Sequence, residues 1–269
     1  MPGSGLSHMV VKPTHPLLLP DGRSLLTLPF AGRPRLVAAI SGKDPQPLIQ
    51  TKEETSVPAA VLPSGQLAFV LGSGAQQTIA IASLADGRIV RRLQGTGGAS
   101  LDSLAASPDG RFLYYTAAKT VWVIPAGGGQ PRRVASGDFV TVYPDGRKLL
   151  IKLNEAEGAR LVRIPVDGLG AGGEPQPIPL QFPHGGQLSH HSLLPDTVSK
   201  DGRIVVVVNT LESFYFQVAI IDPATGKVRT VPVQFEGDIG YPAWTRDGRI
   251  VALGRSISSA IWRFRPVAK

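Results

Sequence analysis

The sequence predicts an all-β protein built from six similar units, and two observations carry that prediction. A short turn motif recurs six times in the 269 residues, at a spacing of roughly 45 residues that is typical of repeat architectures. Apolar runs rich in Val, Ile and Leu follow each copy, and no stretch has a helical periodicity. The copies are LPDGR (19–23), LPSGQ (62–66), SPDGR (107–111), YPDGR (143–147), SKDGR (199–203) and TRDGR (245–249).

The recurring motif predicts a tight turn between two strands. Pro presets its φ angle, Asp accepts hydrogen bonds from neighbouring backbone N–H groups, and Gly accepts a positive φ. We therefore expect the motif aspartates to be structural rather than metal-binding, because the turns of different units lie far apart. Five copies carry the aspartate: Asp21, Asp109, Asp145, Asp201 and Asp247.

Each unit contains four apolar runs, which predict four antiparallel strands, A to D, with the motif joining A to B. In the third unit the runs are SLAAS, FLYYTA, TVWVIPA and PRRVAS, and in the fifth the A strand is expected at DTVS (196–199). The A strands are rich in small residues, which suits the crowded innermost position of a radial array. Radial repetition also leaves only short sheet edges exposed. The sequence therefore predicts a six-bladed β-propeller.

The chain ends are expected to close this ring. The last unit stops after its third strand, so we expect residues 9–12 to supply the fourth strand of the last blade. The first nine residues, MPGSGLSHM, resemble an expression-vector leader. A single domain, expected to be monomeric, then occupies residues 10–269.

The composition excludes several classes of site. The chain has no Cys, which excludes a disulfide framework, a thiolate metal site and a Cys nucleophile. The net charge is +8, from 28 Lys and Arg against 20 Asp and Glu, but the arginines are scattered, which favours a solvated surface over a specific nucleic-acid groove. No run of 18 apolar residues is present, so no membrane insertion is expected.

Two stretches, SPDGRFLYYTAAKTVWVIPAGGGQPRRVAS (107–136) and YPAWTRDGRIVALGR (241–255), resemble blades of TolB-like, WD-repeat-related propellers. The resemblance implies a bacterial recognition or sensor propeller that binds a protein, a peptide or a small ligand. Such propellers occur in periplasmic proteins and as extensions of signalling proteins such as serine/threonine kinases, so either a periplasmic or a cytoplasmic location fits. No kinase motif is present, and a resemblance in fold does not determine function.

One rim of the predicted propeller is the candidate binding surface. The D–A and B–C connections share this rim and differ among units, whereas the opposite rim repeats the turn motif. Variable loops on a fixed scaffold are typical of binding sites, so we expect a partner there and neither a cofactor nor a metal ion. The candidate residues are Lys119, Glu155, His190, His191, Glu212, Phe214 and Arg255.

Two features of this rim have competing interpretations. His184, His190 and His191 suggest a metal site, yet adjacent side chains on an extended segment point to opposite faces, so His190 and His191 cannot share one ion without a turn. If strand alternation extends to Phe214, it shares a face with Phe216 and packs between sheets. Otherwise Phe214 is an exposed anchor for a partner.

The alternative function is an enzyme of the lactonase or hydrolase type that uses channel residues. Resemblance to six-bladed lactonases implies a divalent metal held by inward-facing carboxylates from several blades. Only Asp102 and Asp196 lie near the predicted inner strands, and no Gly-x-Ser-x-Gly nucleophile motif stands between a strand and a helix. We therefore expect a non-catalytic module without catalytic residues.

Overall fold

A computed structural model describes residues 11–20, 24–29, 35–40, 44–167 and 172–256. These residues form six antiparallel sheets, numbered here along the chain, of which five have four strands and sheet 6 has two. Helix within these ranges is limited to three 3-10 turns, and none is long or apolar enough to cross a membrane. The prediction of an all-β chain is confirmed. The turns are Gly74–Gln76, Pro183–Gly185 and Pro195–Thr197.

Strands that follow one another in the chain are neighbours within each sheet. Sheets 1 and 2 contain β1 (Val11–Leu18), β2 (Ser24–Pro29), β3 (Val37–Ile40) and β4 (Gln46–Pro47), then β5 (Thr55–Leu62), β6 (Gln66–Leu71), β7 (Thr78–Ser83) and β8 (Ile89–Arg92). Sheets 3 and 4 contain β9 (Leu101–Ala106), β10 (Phe112–Ala117), β11 (Thr120–Pro125) and β12 (Arg132–Ser136), then β13 (Phe139–Val142), β14 (Lys148–Glu155), β15 (Gly158–Pro165) and β16 (Gln176–Pro177). Sheets 5 and 6 contain β17 (Gln187–Leu188), β18 (Ile204–Asn209), β19 (Gln217–Ile221) and β20 (Val228–Thr230), then β21 (Asp238–Trp244) and β22 (Ile250–Arg255).

The recurring motif forms the turn that leads into the second strand of a sheet. In sheet 3 the carboxylate of Asp109 accepts the hydroxyl of Ser107 at 2.6 Å and the backbone N–H of Arg111 at 3.0 Å. Gly110 between them has a φ of 71°, which a side chain would disfavour. These hydrogen bonds favour the ionised carboxylate and lower the pKa of Asp109 to about 2.

The other motif aspartates make related contacts within their own turns. Asp145 accepts the backbone N–H of Arg147 at 2.9 Å. Asp201 and Asp247 each accept the guanidinium of the arginine two positions later, at 2.7 and 2.8 Å. Asp21 lies outside the described residues. The carboxylates that the structure describes in this motif are thus engaged by their own turns.

Consecutive sheets pack face to face. Five core clusters in the described part of the chain lie between the five successive pairs of sheets. In β10, Tyr115 belongs to the cluster shared with sheet 2, and its neighbour Tyr114 belongs to the cluster shared with sheet 4. Because sheets 2 to 5 each have a core cluster on both faces, their second strands are buried at consecutive positions rather than at alternate ones. This arrangement is that of a β-propeller.

Main-chain hydrogen bonds join the outer parts of neighbouring sheets at two equivalent places. After the last strand of sheet 1, the N–H of Gln50 donates to the carbonyl of Gly87 in the last hairpin of sheet 2, at 2.8 Å. After the last strand of sheet 4, the N–H of Gln181 donates to the carbonyl of Gly226 in the last hairpin of sheet 5, also at 2.8 Å. The outer hairpins are therefore part of the contact between sheets.

The predicted closure of the ring by residues 9–12 does not hold for Val11 and Lys12. They pair with Pro29 and Leu28 of β2, so they extend the innermost strand of sheet 1. Among the described residues this strand has a partner on one side only, and a strand with an unpaired edge tolerates the prolines of VKPTHPLL, which cannot donate a ladder hydrogen bond. Residues 9 and 10 and the last predicted strand, AIWRFRP (260–266), lie outside the described residues.

Candidate functional site

The innermost strand of sheet 5 is interrupted, and the interruption shapes the candidate site. Leu188 pairs with Val208 near one end of β18, whereas Val198 forms an isolated bridge with Ile204 at the other end. Residues 189–197, here called the inner loop, leave the sheet between these two points. Of the strand predicted at 196–199, only the pairing of Val198 is present, because residues 195–197 form a 3-10 turn.

Local chemistry explains why the inner loop does not pair as a strand. Pro195 has no N–H to donate to a ladder, and it begins a 3-10 turn. The hydroxyl of Thr197 accepts the N–H of Leu194 at 3.0 Å, which satisfies a donor that a strand would otherwise use. Thr141 of sheet 4 donates its hydroxyl to the carbonyl of Pro195 at 2.6 Å and so fixes the turn to the neighbouring sheet.

A buried lysine of sheet 4 holds the other end of the inner loop. Lys152 of β14 is 3% exposed, and its Nζ donates to the carbonyls of Ser189 and His191 at 2.5 Å each. The Nζ also lies 5.7 Å from the centroid of the Phe139 ring, within the range of a cation–π contact. Burial lowers the pKa of Lys152 to about 7, and the charge of Asp138 opposes this shift.

Asn154, two residues further along β14, lies beside the same loop. Its backbone N–H donates to the carboxylate of Asp138 at 2.7 Å, and its amide approaches the carbonyl of His190 at 3.5 Å. The amide oxygen of Asn154 is buried and has no hydrogen-bond partner in the described part of the chain. Polar groups of sheet 4 thus line one side of the inner loop.

His190 and His191 diverge from each other. His190 is exposed, whereas His191 is half-buried, with Nδ1 at 3.0 Å from the hydroxyl of Ser189 and its ring edge-on to Phe216 at 4.6 Å between centroids. Burial lowers the pKa of His191, and the positive charge of Lys152 adds to this effect, so the imidazole is neutral at neutral pH. No group of three or more His, Asp or Glu side chains in the described ranges is placed to hold a metal ion.

Phe214 is the most exposed large apolar side chain at this rim. It is 94% exposed and Leu211 is 84% exposed, both in the loop 210–216 between β18 and β19. Because β19 begins only at Gln217, strand alternation does not reach Phe214, and the packing interpretation of this residue is wrong. The hydroxyl of Ser213 accepts the N–H of Tyr215 at 3.1 Å, which closes a local turn around Phe214.

Arg255 lies at the end of β22 on the side of sheet 6 that faces this loop. Its guanidinium is 3.1 Å from the carboxylate of Asp238, and Asp238 also accepts the backbone N–H of Phe216 at 3.2 Å. The ion pair therefore connects the last described strand to the base of the 210–216 loop. Glu212 is exposed in the same loop.

The remaining candidates, Lys119 and Glu155, lie on sheets 3 and 4. Lys119 adopts a φ of 57° in the hairpin between β10 and β11, and it borders a cavity of about 390 Å³ with Asp102 and Asp138. Burial and the charge of Asp138 raise the pKa of Asp102. Glu155 pairs with Arg160 at 2.7 Å on an exposed surface, where an ion pair contributes little.

The structure thus brings His191 and Arg255 to the base of the loop that carries Glu212 and Phe214, and it leaves Lys119 and Glu155 on other sheets. Sequence reasoning missed Lys152 and Asn154. The signal was present, because KLLIKLNE places a lysine inside an apolar strand, on the same face as Leu150. The pattern could not show which groups would accept hydrogen bonds from the ammonium of Lys152.

Comparison with models of protein families and with curated protein sequences finds no match. Solved structures match by fold. A protein assigned as TolB from Agrobacterium tumefaciens matches with a TM-score of 0.67 at 19% identity, over 91% of this chain and 90% of that one. A gluconolactonase from Xanthomonas campestris matches with a TM-score of 0.67 at 17% identity, over 93% and 85%.

TolB from Acinetobacter baumannii matches with a TM-score of 0.59 at 18% identity, and this chain covers 55% of its length. At such identities the likeness describes the fold alone, which is a TolB-like β-propeller.

Proposed function

We propose that this chain is a six-bladed propeller that acts as a non-catalytic recognition module and binds a protein partner through the 210–216 loop. The observation that carries the proposal is the exposure of Phe214 on a loop whose base is fixed. An aromatic side chain that is 94% exposed contributes little to folding, whereas aromatic residues are enriched among the residues that dominate binding energy.

The loop is pre-organised, which reduces the entropy lost on binding. At its base, the hydroxyl of Thr210 lies 3.0 Å from the amide oxygen of Gln217, and Asp238 holds the N–H of Phe216. Leu211 adds a second exposed apolar side chain. A partner that covers both would bury an aromatic and an aliphatic group at once.

The six-bladed ring rests on two features of the described residues. Five consecutive pairs of sheets share a core, and one cavity is bordered by residues from all six repeat units. Only a closed or nearly closed ring lets six sheets border one space. The likeness to TolB supports placing the module in a larger bacterial periplasmic or signalling protein.

The test compares Phe214→Ser with Val90→Ser as affinity baits. Val90 is 53% exposed on the outer strand of sheet 2, so it is a matched control away from this rim. We expect a partner that the unchanged chain enriches to be recovered at least tenfold less with Phe214→Ser and in an unchanged amount with Val90→Ser. Melting temperatures should agree within about 2 °C, since neither side chain is packed.

Two outcomes would contradict this proposal. One is equal recovery of the partner by both variants, or no partner at all with the unchanged chain. The other is a marked fall in melting temperature for Phe214→Ser, which would make Phe214 structural.

A second candidate, supported by the likeness to a gluconolactonase, is a metal-dependent hydrolase that uses channel residues. Elemental analysis of the purified chain separates the two. One equivalent of bound calcium or zinc would favour the enzyme.

A further inference from the structure

A second cavity opens at the end of the propeller where the turn motifs meet, opposite the 210–216 loop. Its volume is about 800 Å³, which is ample for a small organic ligand. Apolar side chains in and next to the innermost strands form much of its wall: Leu17, Leu19, Ala60, Leu62, Ala105, Val142 and Val198.

The second residue of the turn motif borders this cavity in all six units. It is proline in the first four units, at Pro20, Pro63, Pro108 and Pro144, and it is Lys200 and Arg246 in the last two. The repeat therefore departs from its own pattern on two adjacent sheets, and both departures place a cation at the mouth of the cavity. The turn itself does not require them, because proline serves the same position elsewhere.

These two cations differ from the other charges around the mouth. Arg203 and Arg249 also border the cavity, but each is paired with the aspartate of its own turn, at 2.7 Å. Lys200 and Arg246 have no ion pair or hydrogen bond among the described residues. They are therefore available to a ligand.

Among the described residues, Asp196 is the carboxylate that lines the cavity without a hydrogen-bond donor. Asp196, in the 3-10 turn of the inner loop, opens into the cavity but is surrounded by protein, and this desolvation raises the pKa of its carboxyl. Arg246 opposes the shift, so the two groups are within electrostatic range although they form no ion pair. A ligand between Arg246 and Asp196 can therefore interact with both, if it carries a negative group for the guanidinium and a hydrogen-bond donor for the carboxylate.

We propose that this cavity binds a small organic acid with an apolar body and a hydrogen-bond donor on the carbon next to its carboxylate. Arg246 and Lys200 bind the carboxylate, Asp196 accepts the neighbouring donor, and the apolar body packs on the Leu, Ala and Val wall. The chemistry is shared by α-amino acids, which present an ammonium, and α-hydroxy acids, which present a hydroxyl. This site does not depend on the proposed function of the opposite rim.

Four probes with the same phenyl body separate these contributions by calorimetric titration. Phenylalanine has the carboxylate and an ammonium, phenyllactate has the carboxylate and a hydroxyl, 3-phenylpropanoate lacks the donor, and phenylalaninamide lacks the carboxylate. We expect phenylalanine or phenyllactate to bind with a Kd of about 1 mM or tighter. 3-Phenylpropanoate should bind at least fivefold more weakly, and phenylalaninamide should not bind. The stronger of the first two identifies the donor.

Three variants assign the contacts. Arg246→Gln should weaken every carboxylate probe at least tenfold, and Asp196→Asn should remove the advantage over 3-phenylpropanoate. Arg111→Gln is the matched control, because Arg111 occupies a turn motif and pairs with Asp109 but does not border the cavity. Arg246→Gln and Arg111→Gln change exposed side chains, so their melting curves should overlay that of the unchanged chain, and Asp196→Asn is checked for the same cooperative melting transition. Failure of all four probes to bind, equal binding of the amide, or indifference to Arg246→Gln would each overturn the proposal.

Discussion

The free energy of unfolding is expected to rise by on the order of 3–5 kcal/mol between pH 7 and pH 10.5 through the titration of Lys152 alone. Burial lowers the pKa of this lysine from 10.5 to about 7 in the folded chain. Between these values the unfolded chain binds a proton that the folded chain does not, so raising the pH favours the folded state. Below about pH 7 both states carry the proton, and the contribution is flat.

Urea denaturation across this pH range tests the prediction when the unchanged chain is compared with Lys152→Met. The other titratable groups are the same in both proteins, so their contributions cancel in the difference. The difference in the free energy of unfolding between the unchanged chain and Lys152→Met should therefore change by about 3–5 kcal/mol over this pH range. Lys148→Met is the control, because Lys148 lies on the same strand but is exposed. Profiles of Lys152→Met and the unchanged chain that stay parallel from pH 7 to pH 10.5 would show that the ammonium is not desolvated.

The same substitution tests what holds the inner loop. Methionine cannot donate to the carbonyls of Ser189 and His191, so both would lose a buried partner. We therefore expect faster amide hydrogen exchange across residues 189–197 in Lys152→Met, while exchange in β10 is unchanged.

The repeated part of the fold was predictable because its determinants are local. Turn, strand and turn follow one another within a few residues, and a motif such as SPDGR specifies its own hydrogen bonds without reference to the rest of the chain. Because this turn motif recurs six times, a radial repeat architecture can be predicted from one sequence.

The departures from the repeat were not predictable in the same way. In the fifth unit DTVS has the composition of a strand, but Thr197 accepts the N–H of Leu194 and the carbonyl of Pro195 is bound by Thr141 of sheet 4, and the second of these contacts is not local in the sequence. The placement of Val11 and Lys12 in the last blade was wrong for a related reason, because a spare extended segment can join either of two sheets. Phe214 depended on where β19 begins, and a pattern places such boundaries poorly.

The candidate site was predicted as a rim but not as a set of contacts. Of the residues predicted from loop variation, His191, Glu212, Phe214 and Arg255 lie around one loop and its base. The partner of Lys152 is a pair of main-chain carbonyls on another sheet. Carbonyls exist at every residue, so no residue type in the sequence could mark them.

Gly226→Ala is expected to lower the free energy of unfolding by about 3 kcal/mol, several times the effect of Gly65→Ala. The two glycines have φ angles of 74° and 73°, so the backbone penalty of roughly 1 kcal/mol is common to both. A Cβ at Gly65 meets no atom within 4 Å, whereas a Cβ at Gly226 would collide with the carbonyl oxygen of Pro179 on sheet 4. Relief of that collision must move the segment whose Gln181 N–H bonds to Gly226.

The difference between these variants therefore measures the contact between the outer parts of sheets 4 and 5. Gly87→Ala supplies an independent repeat of the measurement, because a Cβ there would collide with the carbonyl oxygen of Leu48 on sheet 1. We expect urea denaturation to show similar losses in the free energy of unfolding for Gly87→Ala and Gly226→Ala, and a much smaller loss for Gly65→Ala. Equal losses in the free energy of unfolding at all three positions would mean that the outer hairpins can move apart at little cost. The inner core clusters alone would then hold neighbouring sheets together.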